Sequence, residues 1–267
     1  MKKQILIALV VCFTTMAYAQ SSGDFPVPLS DPAKRGKLKA HLNYGSITVK
    51  GTARKDVLVK YSSDNENSDG EKKGTKDGLK RISGGTMDLE VSENTNYVKV
   101  ESGSWNNKIN LVIEVPTGFD VKVSSYNDGD ILISNIEGEV EITTYNGEIA
   151  AENISGSVIA TTYNGEIKVT FDKVKDGVPM SYSTYNGDID ITFPASLKAT
   201  FKMKTEQGEI LSGFDMKMLE SGPVQKKDAK SGTYKVVIDE WVKGEVNGGG
   251  PEISMRNYNG DVIIRKK

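Results

Sequence analysis

Between Gly129 and Val169 the chain alternates apolar and polar residues, and the alternation restarts at each glycine. Val140 and Ile142 follow Gly138, Ile149 and Ala151 follow Gly147, Val158 and Ala160 follow Gly156, and Ile167 and Val169 follow Gly165. The positions between them are mostly polar: Glu139, Glu141, Glu148, Glu152, Glu166 and Lys168. A period of two over runs this short predicts half-buried strands, not helix. The pairs Asn146-Gly147, Asn164-Gly165 and Asn186-Gly187 predict the turns, because both residue types tolerate positive φ.

Gly129, Gly138, Gly147, Gly156 and Gly165 stand nine residues apart, and every second one from Gly147 closes a Tyr-Asn-Gly. A fixed period of 18 residues made of two half-units marks a stacked repeat architecture. Strand, Asn-Gly, strand also reads as a hairpin, and a meander of hairpins would give an antiparallel sandwich or open barrel. The block Tyr-Asn-Gly-(Asp/Glu)-Ile, however, repeats in one chain direction at Tyr145, Tyr163 and Tyr185. Stacking like on like predicts an all-β fold, a single-stranded parallel β-solenoid with coils of about 18–22 residues. Each coil adds about 4.8 Å along one axis. The sandwich or barrel remains the alternative.

Parity assigns the faces. With Ile142 and Ile149 inward, Thr144 is inward and Tyr145 outward. The inner column then holds Ile131, Ile149, Ile167, Ile189 and Ile210. The outer column holds Tyr126, Tyr145, Tyr163 and Tyr185, with Glu206 in the next copy. Beside it runs an acidic column of Asp130, Glu148, Glu166, Asp188 and Glu209. Asn146, Asn164 and Asn186 are expected to form a ladder of side-chain amides at the turn, a structural role shared with Gly147, Gly165 and Gly187.

The rest of the chain is less regular. Residues 20–36 read as a leader without periodicity, and 37–267 as one elongated repeat domain. Asn43 to Val49 is a degenerate first copy, and Asn257 to Ile264 a last one. Residues 62–80 and 220–232 are polar and read as exposed insertions. The longer later coils place their surplus at 172–179 and 194–198. The leader and the basic Arg265-Lys266-Lys267 are candidates for capping the open edges of a stack.

The first 19 residues read as a secretory signal peptide. Lys2 and Lys3 are its basic region, Ile5 to Phe13 its apolar stretch, and Ala17-Tyr18-Ala19 its cleavage site. An exported chain is therefore expected, in the periplasm or at the cell surface. No segment is apolar for long enough to read as a transmembrane helix, and no sorting signal is evident at the C-terminus. Cys12, the one cysteine, lies inside the signal, so the mature chain is expected to carry no disulfide or thiol chemistry. Losing Lys2 and Lys3 takes the formal net charge from −2 to −4, which argues against a nucleic-acid partner.

Candidate chemistry is thin. His41 is the one histidine, so no imidazole cluster can hold a metal. Outward carboxylates one rung apart read as solvated surface, and the calcium β-roll nonapeptide is absent. Acids occur on every rung, so no pair stands out for glycoside hydrolysis. No Ser or Thr has a His partner for the usual triad. The outer Tyr column is the sharpest candidate, since exposed aromatics flanked by carboxylates and amides could contact sugars or a partner protein. The competing role is structural: rings stacked on one another to join adjacent rungs.

The combination of signal peptide, Gly-(Asp/Glu)-Ile repeats separated by Thr-x-Asn-Gly, and the ending Gly244-Glu245-Val246-Asn247-Gly248-Gly249-Gly250-Pro251-Glu252-Ile253 followed by Tyr258-Asn259-Gly260-Asp261-Val262 resembles the DUF4097 family of β-strand-repeat proteins. The resemblance covers roughly 37–267 and is nearest to versions from Bacteroidetes. It implies a parallel β-solenoid, an exported location and an adhesin label, with no cofactor and no catalytic residue to carry over. The insertion at 62–80 and Glu206-Gln207-Gly208 depart from the family pattern. The leading expectation is a non-enzymatic adhesin or binding/scaffold protein of the cell envelope, meeting an unknown protein or glycan through Tyr126, Tyr145, Tyr163 and Tyr185. A periplasmic structural or envelope-stress accessory without a ligand is the alternative, and a glycan-active enzyme a distant one.

Overall fold

The structure, a computed structural model, describes residues 21–64, 88–220, 224–227, 234–237 and 241–267. The expected signal peptide and most of the insertions at 62–80 and 220–232 lie outside the described residues. Among the described residues every regular element is a strand. The first eight are β1 Ser21–Val27, β2 Lys37–Tyr44, β3 Ile47–Thr52, β4 Val57–Asp64, β5 Glu90–Asn94, β6 Tyr97–Ser102, β7 Lys108–Pro116 and β8 Asp120–Asn127. The repeat region supplies β9 Ile131–Ser134, β10 Glu139–Thr143, β11 Ile149–Thr161, β12 Ile167–Val174, β13 Met180–Ser183 and β14 Ile189–Phe193. Then come β15 Ala199–Lys204, β16 Ile210–Ser212, β17 Lys217–Leu219, β18 Val224–Lys227, β19 Tyr234–Val237, β20 Val242–Val246, β21 Glu252–Arg256 and β22 Val262–Lys266.

Twenty of these join in one sheet, while β18 and β19 pair separately. The large sheet consists of two ladders that share β11. One runs β1-β4-β7-β3-β9-β11-β12-β14-β22-β16. The other runs β5-β6-β2-β8-β10-β11-β13-β21-β15-β20-β17. One rung is a strand of the second ladder, a turn, and a strand of the first. The turn residues Asn146, Asn164, Asn186 and Asn259 pair in parallel from rung to rung.

Alternation builds the core. Along β7 every second residue is buried, and Ile109, Leu111, Ile113 and Val115 are at most 1% exposed. Inward residues of both ladders form one continuous apolar cluster, with Phe171, Phe193 and Phe201 filling its later part. Burial of this kind contributes about 25 cal/mol per Å² of apolar surface. Turn glycines allow the rungs to close up. Gly165 and Gly187 lie at φ +151° and +129°, and a Cβ there would sit 2.1 and 2.3 Å from the carbonyl oxygen of the glycine one rung away.

Two expectations need correction. The pairing is mixed, not purely parallel: β1, β4, β5, β17 and β20 pair antiparallel at the outer ends of the ladders. Antiparallel return strands cover edges that a bare parallel stack would leave open. The leader contributes one of these edge strands, β1, which pairs with β4. The basic C-terminus does not cap an end. The last copy, β21 and β22, is interleaved between β13/β14 and β15/β16. Val262 therefore stands between Ile189 and Ile210 in the inner column, and Ile210 is only partly buried.

Candidate functional site

The residue before each Tyr anchors its rung. Thr144 donates its hydroxyl to the Gly129 carbonyl (3.2 Å), Thr162 to Gly147 (3.1 Å) and Thr184 to Gly165 (3.0 Å). Asn257 continues the series to Gly187 (2.8 Å), and Thr205 to Gly260 (2.9 Å). Each of these side chains thus satisfies a carbonyl of the neighbouring turn. With that residue fixed inward, the next one must point to solvent.

Tyr126, Tyr145, Tyr163 and Tyr185 do so, each 40–42% exposed, and Tyr258 joins them at 41%. Their rings stack face to face, with centroids 4.9 Å apart from Tyr126 through Tyr185 and 4.6 Å from Tyr185 to Tyr258. Interplanar angles are 10°, 3°, 1° and 3° along the row. Trp105 closes the far end edge-on against Tyr126, with centroids 5.3 Å apart. Sequence order places Glu206 after Tyr185; the interleaved copy puts Tyr258 there instead. The Tyr-Asn-Gly at 258–260 was the available signal for that position, whereas nothing in the local sequence marks Trp105. Burial among the rings, with the neighbouring Tyr258 and Tyr163 hydroxyls, raises the Tyr185 pKa above its ordinary value.

Behind the rings the turn amides connect in series. Asn164 donates to Asn146 Oδ1 (2.8 Å) and Asn186 to Asn164 Oδ1 (2.7 Å). Longer contacts of 3.4 Å extend the row to Asn127 and Asn259. Gly147, Gly165 and Gly187 stand beside these amides, where each carbonyl accepts the hydroxyl or amide of the next rung.

On the other flank of each turn lies the acidic row. The strand registers set Asp130, Glu148, Glu166, Asp188, Asp261 and Glu209 one rung apart, in that order. Asp130, Asp188 and Asp261 each accept the backbone N–H of the next acid, at 2.8–2.9 Å. Among the described residues no group of three or more His, Cys, Asp or Glu is placed to hold a metal.

His41 does have a serine partner, contrary to the sequence reading. Its Nδ1 lies 2.8 Å from Ser124 Oγ and its Nε2 3.0 Å from Asn43 Oδ1. His41 and Ser124 face each other in the register of β2 and β8. At the opposite end of the rungs, the loops that absorb the coil surplus line an open crevice of about 630 Å³, with Lys173, Lys175 and Lys198 on its walls. No helix among the described residues is long and apolar enough to cross a membrane.

Two solved structures resemble the chain. A candidate cell adhesion protein from Clostridium sporogenes ATCC 15579 aligns at 14% identity and a TM-score of 0.48, covering 93% of this chain and 100% of that one. A candidate adhesin from Bacteroides fragilis NCTC 9343 aligns at 10% identity and a TM-score of 0.31, covering 94% and 98%. No curated protein matches the chain. The family model described as Toastrack DUF4097 matches residues 120–240, the stretch that contains the regular rungs, so the family recognised in the repeat is the family this chain matches.

Proposed function

We propose that this chain is an exported, non-enzymatic adhesin or binding protein of the bacterial cell envelope, organised as a β-solenoid-like repeat protein, with the Tyr column as its contact surface. The observation that carries the reading is the column itself. Tyr126, Tyr145, Tyr163, Tyr185 and Tyr258 form a continuous, solvent-facing row of stacked rings. Exposed aromatic surface of this extent marks interaction sites in folded proteins. Residues 1–19 supply the export signal, and residues 37–267 form the repeat domain.

One observation favours a second reading. The rings cover one another's faces, as cross-strand aromatic pairs do when they stabilise a sheet. A ligand-free periplasmic structural protein would use the column in that way. Replacing Tyr145, Tyr163 and Tyr185 by Ser separates the two readings. Loss of retention on a panel of glycans and envelope proteins, with the fold intact by circular dichroism, supports contact. Loss of stability alone supports the structural role. Protease treatment of intact cells decides the compartment: cleavage places the chain on the surface, and protection until the outer membrane is broken removes the adhesin reading.

A further inference from the structure

No cysteine occurs after Cys12, so no disulfide can tie one rung of the repeat domain to another. The Tyr column offers a different covalent chemistry. A phenol gives up an electron and a proton to a one-electron oxidant, and two phenoxyl radicals join through the ring carbons beside their hydroxyls. Such coupling is efficient within a chain only where two phenols are already held together.

The column holds them. Each Tyr carbonyl accepts a backbone N–H from the next rung: Tyr126 from Asn146 (3.0 Å), Tyr145 from Asn164 (2.9 Å), Tyr163 from Asn186 (2.9 Å) and Tyr185 from Asn259 (2.9 Å). The rings on these pinned backbones have centroids 4.6–4.9 Å apart and lie within 10° of parallel. Two rings joined directly by a carbon–carbon bond have centroids only slightly closer. Coupling therefore asks for rotation about side-chain bonds and little movement of the backbone. An exposure of 40–42% leaves the rings open to an oxidant and free to turn. Tyr185 and Tyr258 are the closest pair, at 4.6 Å and 3°, and their hydroxyls interact. Tyr258 belongs to the last copy, so this pair joins segments that are distant in sequence.

We propose that the Tyr column is a site of oxidative cross-linking, where a one-electron oxidant joins neighbouring rings into dityrosine and staples the last copy into the stack through Tyr185 and Tyr258. Each phenol loses one hydrogen atom from its hydroxyl. The two radicals form one carbon–carbon bond between ortho carbons, and the ortho hydrogens return to the oxygens to restore both phenols. With hydrogen peroxide as the terminal oxidant, one peroxide takes up the two hydrogen atoms and is reduced to two waters. This chemistry goes beyond the contact-surface reading and does not depend on it.

The test is treatment of the dilute full chain with hydrogen peroxide and a haem peroxidase, read by dityrosine fluorescence, intact mass and mapping of cross-linked peptides. Monomers lacking two hydrogens per link are expected, with links confined to neighbours in the column and Tyr185–Tyr258 foremost. Their yield should exceed that of the urea-unfolded chain roughly tenfold or more, since unfolding removes the pre-organisation. Tyr97 is the internal comparison: it is as exposed, at 40%, but belongs to no ring pair among the described residues. Tyr258→Phe keeps the ring stack and removes one phenol. It should abolish the Tyr185–Tyr258 link and preserve those among Tyr126, Tyr145 and Tyr163. The linked wild-type monomer should melt above both the untreated chain and the treated Tyr258→Phe variant, because the link closes a long loop. Links only between molecules, links at Tyr97 as frequent as those within the column, or equal yields from folded and unfolded chain overturn the proposal. A Tyr185–Tyr258 link that leaves the melting temperature unchanged overturns the stapling role.

Discussion

Tyr163 shows how much one residue can be asked to do in a stack. It touches a ring on each side, and a stacked aromatic pair is worth about 0.5–1.5 kcal/mol beyond area burial. Tyr163→Ser should therefore cost roughly 1–3 kcal/mol in urea unfolding, and Tyr163→Phe less than about 0.5 kcal/mol. The row also has an alkaline signature. Tyr185 has a raised pKa, chiefly from burial and then from its Tyr neighbours, and fully buried Tyr182 is raised well above normal by burial alone. A phenol raised on folding favours the native state below its unfolded pKa of about 10. That stability declines as pH rises beyond it, towards the folded-state value. Spectrophotometric titration should show these two phenols ionising late, with unfolding setting in as they do. Parity alone made Thr144 inward and Tyr145 outward, because a strand has two faces and Ile142 and Ile149 occupy one of them. The contacts of His41 with Ser124 and of Trp105 with Tyr126 were not legible: each joins residues that meet only through long-range strand pairing.

At the scale of the element, the position of the last copy is the instructive case. The residues after Gly187 carry Glu206-Gln207 where other copies carry Tyr-Asn, so they cannot continue the ring stack. The copy at 257–262 can, and it occupies the rung beside Tyr185, displacing the sequence-adjacent copy to the outside. Periodicity identified each copy as a copy; it carried no information about stacking order, which depends on which side chains match across the interface. A bidentate ion pair fixes the arrangement. Arg265 Nε lies 2.7 Å from Asp190 Oδ1, and Arg265 Nη2 2.8 Å from Oδ2. Asp190 is only 8% exposed, so removing its partner leaves a poorly hydrated charge. Arg265→Ala should lower the midpoint of chemical denaturation, because it leaves the Asp190 carboxylate without its partner. Asp190→Asn combined with Arg265→Met should recover part of that loss.

Across the whole molecule, stability should follow rung position. Central rungs such as β10/β11 and β11/β12 are hydrogen-bonded to neighbours on both sides, whereas β16 has three residues and one neighbour. In a quasi-one-dimensional stack the terminal units open first. Amide exchange should be slowest in 140–170, faster through β13 and β14, and fastest in β16 and β17; uniform protection would contradict this gradient. The all-β class and the parallel interior were readable from the like-on-like repeat. The antiparallel flanks were not, because β1, β5 and β17 lack the repeated motif.

The interleaved copy also imposes an order of assembly. Until residues 252–266 are in place, β13 and β14 have one unsatisfied edge, and β15/β16 have no rung to rest against. The fold cannot be completed progressively from its N-terminal end. A chain cut short before Glu252 would present an open, sticky ladder in mid-stack, while the full chain seals it with its final segment. The last repeat thus serves as a keystone, and a truncated product is exposed as unfinished.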